Sequence, residues 1–208
     1  MYNKLLKRYP ALSACGKEIE KAVTAIIACF ETGGKVLLCG NGGSAAACDH
    51  IAAEFTKGFL KKRPIRAEKM AEMRAKNPSV DKGLLAKLQM GLPAVSLPAM
   101  TALNTAFCND ADPALVYAQS VLALGKSGDA LIALSTSGNA ENVTAAVAVA
   151  KSLGITVIAL TGEAGGALAK EADVAIRVPE KETYRVQEYH LPVYHYICAA
   201  VEAHFFKD

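Results

Sequence analysis

Hydrophobic and polar positions alternate along this chain in two registers. Uninterrupted apolar runs at about 35–40, 93–97, 129–134 (DALIAL), 155–160 (ITVIAL) and 173–178 (DVAIRV) read as strands buried on both faces. Between them, 101–108, 114–124, 140–153 and 164–171 have helix-forming composition, as does the Ala-rich stretch after the first strand. Residues 11–32 place Ile19, Val23, Ile26, Ile27 and Phe30 at helical spacing, which predicts a long amphipathic helix ending at Gly33-Gly34. Residues 182–206 predict a long apolar helix carrying Gln187, Glu188, His190 and His195, kinked at Pro192. Strands separated by helices predict a parallel sheet covered on both sides, an α/β fold whose ligands bind beyond the C-terminal ends of the strands.

Composition narrows this further. The 208 residues fit one domain, 1–208, with an N-terminal helical region at 1–34. No apolar run reaches the ~18 residues of a membrane span and the N-terminus lacks the apolar centre of a signal peptide, so a cytoplasmic protein without membrane contact is expected. Six cysteines without CxxC spacing read as reduced packing residues. The net charge is only +3, but from Lys57 to Met90 ten Lys/Arg face three acids. Residues 61–90 therefore read as a basic, solvated, helical insertion, with helices at 66–76 and 81–89. Apart from Phe59 at its edge no aromatic side chain is interleaved with the charge, so nucleic acid is not an expected partner.

Two strand–turn–helix junctions carry the candidate chemistry. In the first, Asn41, Gly42, Gly43 and Ser44 follow the first strand and open a helix. Glycines there let the backbone approach a ligand while the helix N-terminus offers N–H groups to an anion, although such a turn can equally be a plain connection. The sequence matches neither the dinucleotide fingerprint nor a P-loop. Within that helix His50 and Glu54 are spaced i, i+4 on one face, a spacing that suits metal ligation, acid–base work or a solvated pair. The second junction is Ser135-Thr136-Ser137-Gly138-Asn139, where three hydroxyls exceed what a helix cap needs and favour a phosphate.

With Asn41-Gly42-Gly43-Ser44, His50-x-x-x-Glu54, the STSGN turn and Gln187-Glu188-x-His190…His195 in this order, the chain resembles the phosphoheptose isomerases of the sugar-isomerase (SIS) superfamily over nearly its whole length apart from about 65–90. The resemblance implies a SIS-type three-layer fold, a five-stranded parallel sheet between helices, assembled as a homotetramer with sites near subunit boundaries. It implies one zinc ion per subunit at His50, Glu54, Gln187 and His195, with Glu54 and His195 as catalytic base and acid. It also implies a sugar phosphate held by Asn41, Gly42, Gly43, Ser44, Glu54, Asn109, Asp110, Ser135, Thr136, Ser137 and Gln187. The implied reaction is zinc-dependent conversion of sedoheptulose 7-phosphate to D-glycero-D-manno-heptose 7-phosphate through an enediol, which needs a base at the carbons and an acid or metal at the oxygens.

Three features depart from that pattern. Gly58 stands where many members have Arg, with Lys57 as a substitute; Ala140 replaces a serine often found after the STSGN turn; and the basic insertion is atypical. Gln187 and His195 are also eight residues apart, about 12 Å along a straight helix, so both reach one ion only with a bend at Pro192 or from different subunits. His190 reads as a satisfied packing histidine. The alternatives are a SIS-fold sugar-phosphate-binding regulator, a protein-binding factor of the replication-initiator-associating type, or an isomerase of another ketose phosphate. The binding factor lacks the glutamate that this chain has at 54.

Overall fold

The structure, a computed structural model, describes residues 1–207. The five apolar runs form β1 (Val36–Gly40), β2 (Ala94–Ser96), β3 (Ala130–Leu134), β4 (Thr156–Thr161) and β5 (Val174–Arg177). They make one parallel sheet in the order β2-β1-β3-β4-β5. Because side chains alternate across a strand, each run supplies two cores. Leu38, Ile132, Ile158 and Leu160 enter one of them, and Leu37, Leu131, Val157 and Ala159 enter the other.

The first core is closed by α1 (Tyr2–Arg8), α2 (Gly16–Glu31), α3 (Gly43–Thr56) and α10 (Thr183–Phe205). The second is closed by α7 (Val116–Leu124), α8 (Glu141–Ser152) and α9 (Gly166–Glu171), with α6 (Thr101–Asp110) at its margin. Helices thus cover both faces, the three-layer arrangement that strand–helix alternation predicts. α2 stops where expected, with Gly33 in the left-handed region at φ 75°. None of the described helices is long and apolar enough to cross a membrane.

Some boundaries differ from the periodicity. The stretch expected as one helix over 11–32 begins as a 3₁₀ turn, Pro10–Cys15, and becomes α-helical only at Gly16. Pro10 lacks the N–H that would extend a helix backwards. Before it lies α1, which the pattern does not announce; the Tyr2 ring packs 5.8 Å from that of Tyr196, and Gly16 leaves room for the Tyr2 hydroxyl, which a Cβ would strike. α6 runs on to Asp110, so Asn109 and Asp110 belong to its last turn. α10 is assigned as one helix through the buried Pro192. The cysteines are free, and all but Cys108 are buried.

The insertion forms α4 (Ala67–Lys76) and α5 (Lys82–Lys87) on a stem closed by the Pro64–Gln89 bridge and by Met90 N–H donating to the Arg63 carbonyl at 2.6 Å. α4 buries no residue and α5 buries only Leu85, consistent with a solvated arm. One residue counted in the basic surface is not on it: Arg63 is 1% exposed and ion-paired.

Asp129, at the entry to β3, is 1% exposed and accepts from the Lys35 N–H at 2.9 Å, the Lys35 Nζ at 2.6 Å and the Lys126 N–H at 2.9 Å. Burial would raise its pKa, but these donors outweigh burial and hold the carboxyl below the usual aspartate range. Its ionised form therefore stabilises the fold fully above the unfolded value of ~3.9, and that contribution is lost as pH falls through the lower folded value. Asp129→Asn is expected to be less stable than wild type at neutral pH, yet to lose less stability between about pH 5 and about pH 2, as urea unfolding at both ends would show.

Candidate active site

The sheet order reverses its winding between β1 and β3. The turns after these two strands lead to helices on opposite faces, leaving a crevice where ligands of doubly wound sheets bind. After β1, Gly42 takes φ +54°, a conformation that disfavours any Cβ, and α3 begins at Gly43. A Cβ on Gly43 would meet the Gln187 amide at 2.8 Å, so glycine here is what lets α10 lie against the start of α3.

After β3, the Ser135 Oγ accepts from the Ala140 N–H at 3.4 Å and the Ser137 Oγ from the Asn139 N–H at 3.2 Å. Both hydroxyls thus cap the turn as acceptors, which leaves their O–H groups free to donate; Ser137 is exposed and Ser135 is buried. Across the crevice Asn41 and Asn142 exchange side-chain hydrogen bonds at 2.8 and 3.0 Å. Asn142, in the first turn of α8, is a site residue the motifs do not mark. Only its place beside the STSGN turn hints at it.

On α3, the His50 Nε2 lies 3.2 Å from the Glu54 Oε1, and the Lys57 Nζ lies 3.2 Å from the Glu54 Oε2. Glu54 is 7% exposed, unusual for a carboxylate, and its partners offset the cost of burial. α10 closes over this pair. The Tyr194 hydroxyl is 3.0 Å from the His50 Nδ1, and the His195 ring is 5.0 Å from that of His50. Phe59 lies against the other side of His195, ring centres 5.5 Å apart. Burial first, and His50 second, lower the His195 pKa against the opposing pull of Glu54. Burial pushes the Tyr194 hydroxyl up to about 12, so it stays protonated at neutral pH.

A cavity of about 450 Å³ lies between α3 and α10, lined among others by Ser44, His50, Tyr184, Gln187 and Tyr194. A larger groove of about 770 Å³ runs along β5 and α9, but its charged residues, such as Lys21, Asp173 and Arg177, belong to the solvated rim of the sheet. Of the candidate site residues, the cavity between α3 and α10 is lined by Gly43, Ser44, His50 and Gln187, while Glu54, His195 and the 135–139 turn are not part of its lining.

The structure brings His50, Glu54 and His195 together and sets Gln187 apart. Gln187 lies over Gly43, seven residues and about 10 Å from His50 along α3. Helical phase explains this: at ~100° per residue Gln187 and Tyr194 share a face, while His195 is turned ~80° away. Among the described residues no group of three His, Cys, Asp or Glu side chains is arranged to hold a metal ion. Asn109 and Asp110 are exposed, hydrogen-bonded to each other at 2.8 Å, and do not line the cavity. His190 is a packing histidine, 2% exposed, with its Nε2 3.3 Å from the Thr161 carbonyl and its pKa lowered by burial to about 4.

This geometry has counterparts in known proteins. SIS domain profiles match residues 101–203 and 4–84. The phosphoheptose isomerase of Methylibium petroleiphilum is 42% identical over 195 residues, covering 92% of this chain and 84% of that one. The chain belongs to the phosphoheptose isomerase family. The phosphoheptose isomerase of Aneurinibacillus thermoaerophilus is 37% identical over 91% of this chain and 83% of its own. The structure of phosphoheptose isomerase GmhA from Neisseria gonorrhoeae superposes with a TM-score of 0.76 at 32% identity, covering 97% of this chain and 95% of that one. As a phosphoheptose isomerase family member, the chain is an aldose–ketose isomerase.

The Tyr194–His50 bond invites a direct test. Tyr194→Phe removes one buried hydrogen bond, and a loss of about 0.5–1.5 kcal/mol in denaturant unfolding is expected. The His50 ring should at the same time show increased mobility in side-chain NMR.

Proposed function

We propose that this enzyme interconverts sedoheptulose 7-phosphate and D-glycero-D-manno-heptose 7-phosphate, with Glu54 as the proton-transferring base and His195 as the acid. The observation that carries this reading is a buried carboxylate on α3 in contact with His50, with the His195 ring 5.0 Å from that of His50.

In the ketose-to-aldose direction, Glu54 removes a proton from C1 as the C2 carbonyl oxygen accepts one, giving the enediol. The same carboxyl then returns its proton to C2 while the oxygen at C1 gives one up. The lowered His195 pKa favours a neutral imidazole near pH 7, whose N–H can donate to a substrate oxygen without competing for the Glu54 charge. The phosphate is assigned to the hydroxyls of Ser135 and Ser137 and the N-terminus of α8.

By type the side chains suit zinc, although among the described residues they are not gathered around one point: imidazole nitrogens of His50 and His195 and the Glu54 carboxylate are its usual donors, and the Tyr194 hydroxyl gives His50 the outer partner that ligating imidazoles commonly have. When bound, zinc would polarise substrate oxygens and stabilise negative charge on them. Gln187, a weak neutral donor, lies over Gly43, about 10 Å along α3 from His50, too far for this set. A homotetramer belongs to the same reading and accords with exposed apolar side chains such as Leu115 and Leu122.

Reaction on another ketose phosphate is the second reading, and Gly58 favours it. A Cβ there would lie 2.5 Å from the Lys61 carbonyl, so the backbone leaves no room for a side chain, and Lys57 turns towards Glu54 instead.

The deciding experiment is turnover of sedoheptulose 7-phosphate with and without added zinc. Zinc-stimulated loss of the ketose is expected; no turnover by zinc-loaded protein would overturn the substrate assignment. Glu54→Gln keeps the size and removes the base, so kcat should fall by roughly 10²–10⁴. Near-normal turnover in that variant would rule out Glu54 as the base.

A further inference from the structure

We infer that the buried Arg63–Glu202 ion pair is a positioning device for the reacting groups, holding Glu54 from behind and His195 through Phe59. The inference rests on the roles proposed above for Glu54 and His195.

Both members of the pair are 1% exposed, with the Arg63 Nε donating to the Glu202 Oε1 at 2.8 Å. The rest of the guanidinium is turned on α3: its Nη1 donates to the Phe55 carbonyl at 2.7 Å and its Nη2 to the Glu54 carbonyl at 3.0 Å. These carbonyls lie in the last turn of α3, where no following helical N–H remains for them. Arg63 therefore finishes the helix at the residue that carries the base. Its outer face is covered by the Phe206 ring at 4.6 Å.

Glu202 works in the other direction. Its Oε1 accepts from the Phe59 N–H at 2.8 Å, and its Oε2 from the N–H groups of Leu60 at 2.7 Å and Lys61 at 3.1 Å. The loop after α3 is thereby hung on α10, and Phe59 is placed with its ring against His195. Glu202 follows His195 by seven residues, two helical turns on nearly the same face, so the loop is fixed relative to the acid as well. One guanidinium and one carboxylate tie the base, the acid and the loop between them.

A buried ion pair is weak support for stability as such, since apolar residues of similar volume often serve the fold as well or better. What apolar residues could not do is direct three backbone N–H groups and two carbonyls into one geometry. Arg63, Glu202 and Phe59 are positioning residues; none is assigned contact with substrate.

The test compares wild type, Arg63→Lys and Phe59→Leu by steady-state kinetics, thermal unfolding and the ring C–H resonances of the histidines, His195 being assigned with a His195→Gln sample. Lysine keeps the charge but cannot reach both carbonyls and Glu202 together. Both variants are expected to lose about tenfold in kcat with KM within about twofold, to shift the His195 resonances, and to leave those of His190 in place. An Arg63→Lys protein that melts lower but keeps its kcat and His195 resonances would show a purely structural pair and overturn the inference. If Arg63→Lys does not fold, Phe59→Leu decides, and unchanged kcat with an unchanged His195 environment refutes positioning. Wild type that fails to turn over sedoheptulose 7-phosphate would count against the proposed reaction instead, and the His195 resonances in the two variants would then decide this inference alone.

Discussion

The reversal of winding between β1 and β3 is the constraint on which the rest depends. Parallel strands must be joined by crossovers, and crossovers in opposite directions from adjacent strands place α3 and α8 on opposite faces of the sheet. Their N-termini then diverge from one point, and backbone N–H groups that a continuous winding would separate are gathered around a single crevice. The polar turns 41–44 and 135–139 are affordable there because solvent or ligand satisfies them. In the middle of the sheet, where every residue of β1 and β3 is buried, they would not be.

In the proposed function the crevice would take the anion, while the proton chemistry would come from α10 crossing the flank of α3. The crossing is close because Gly43 has no side chain, and it is specified by polar contacts: Gln187 at the N-terminal end of α3, Tyr194 on His50 in the middle, and Glu202 with Arg63 at the C-terminal end. Three contacts along one helix leave little freedom to rotate or slide. That suits a reaction in which a carboxylate must address two adjacent carbon atoms in turn, where a misplacement of about 1 Å can cost 10²-fold.

Much of this was legible in the chain. The sheet follows from apolar runs separated by helices, and the His50–Glu54 pair follows from i, i+4 spacing in apolar surroundings. What was not legible depends on partners distant in sequence. Arg63 lies in a stretch whose average charge says solvent, and only Glu202, far along the chain, withdraws it into the interior. Tyr194 looks like an ordinary aromatic on an apolar helix until α3 is laid beside it. Asn142 is hidden for the same reason, since its partner Asn41 follows a different strand. Within the helical region expected at 1–34, the separate short helix α1 was not resolved because its single buried residue, Leu5, leaves no periodicity to read. The separation of Gln187 from His195 could have been foreseen more sharply, since an offset of eight residues changes helical phase as well as distance.

Glu54 itself shows how the site balances two demands. A carboxylate this buried needs hydrogen-bonding partners, yet a base that is held too firmly transfers protons poorly. Here one oxygen faces the His50 ring. The other faces Lys57, whose side chain is 57% exposed, so water weakens its attraction. The firm contacts are made instead to the Glu54 backbone, where the Arg63 guanidinium grips the carbonyl. Position is thereby set through the main chain while the carboxyl group stays loosely paired. For the base role proposed for Glu54, this division would let one residue be both fixed in space and free to exchange a proton.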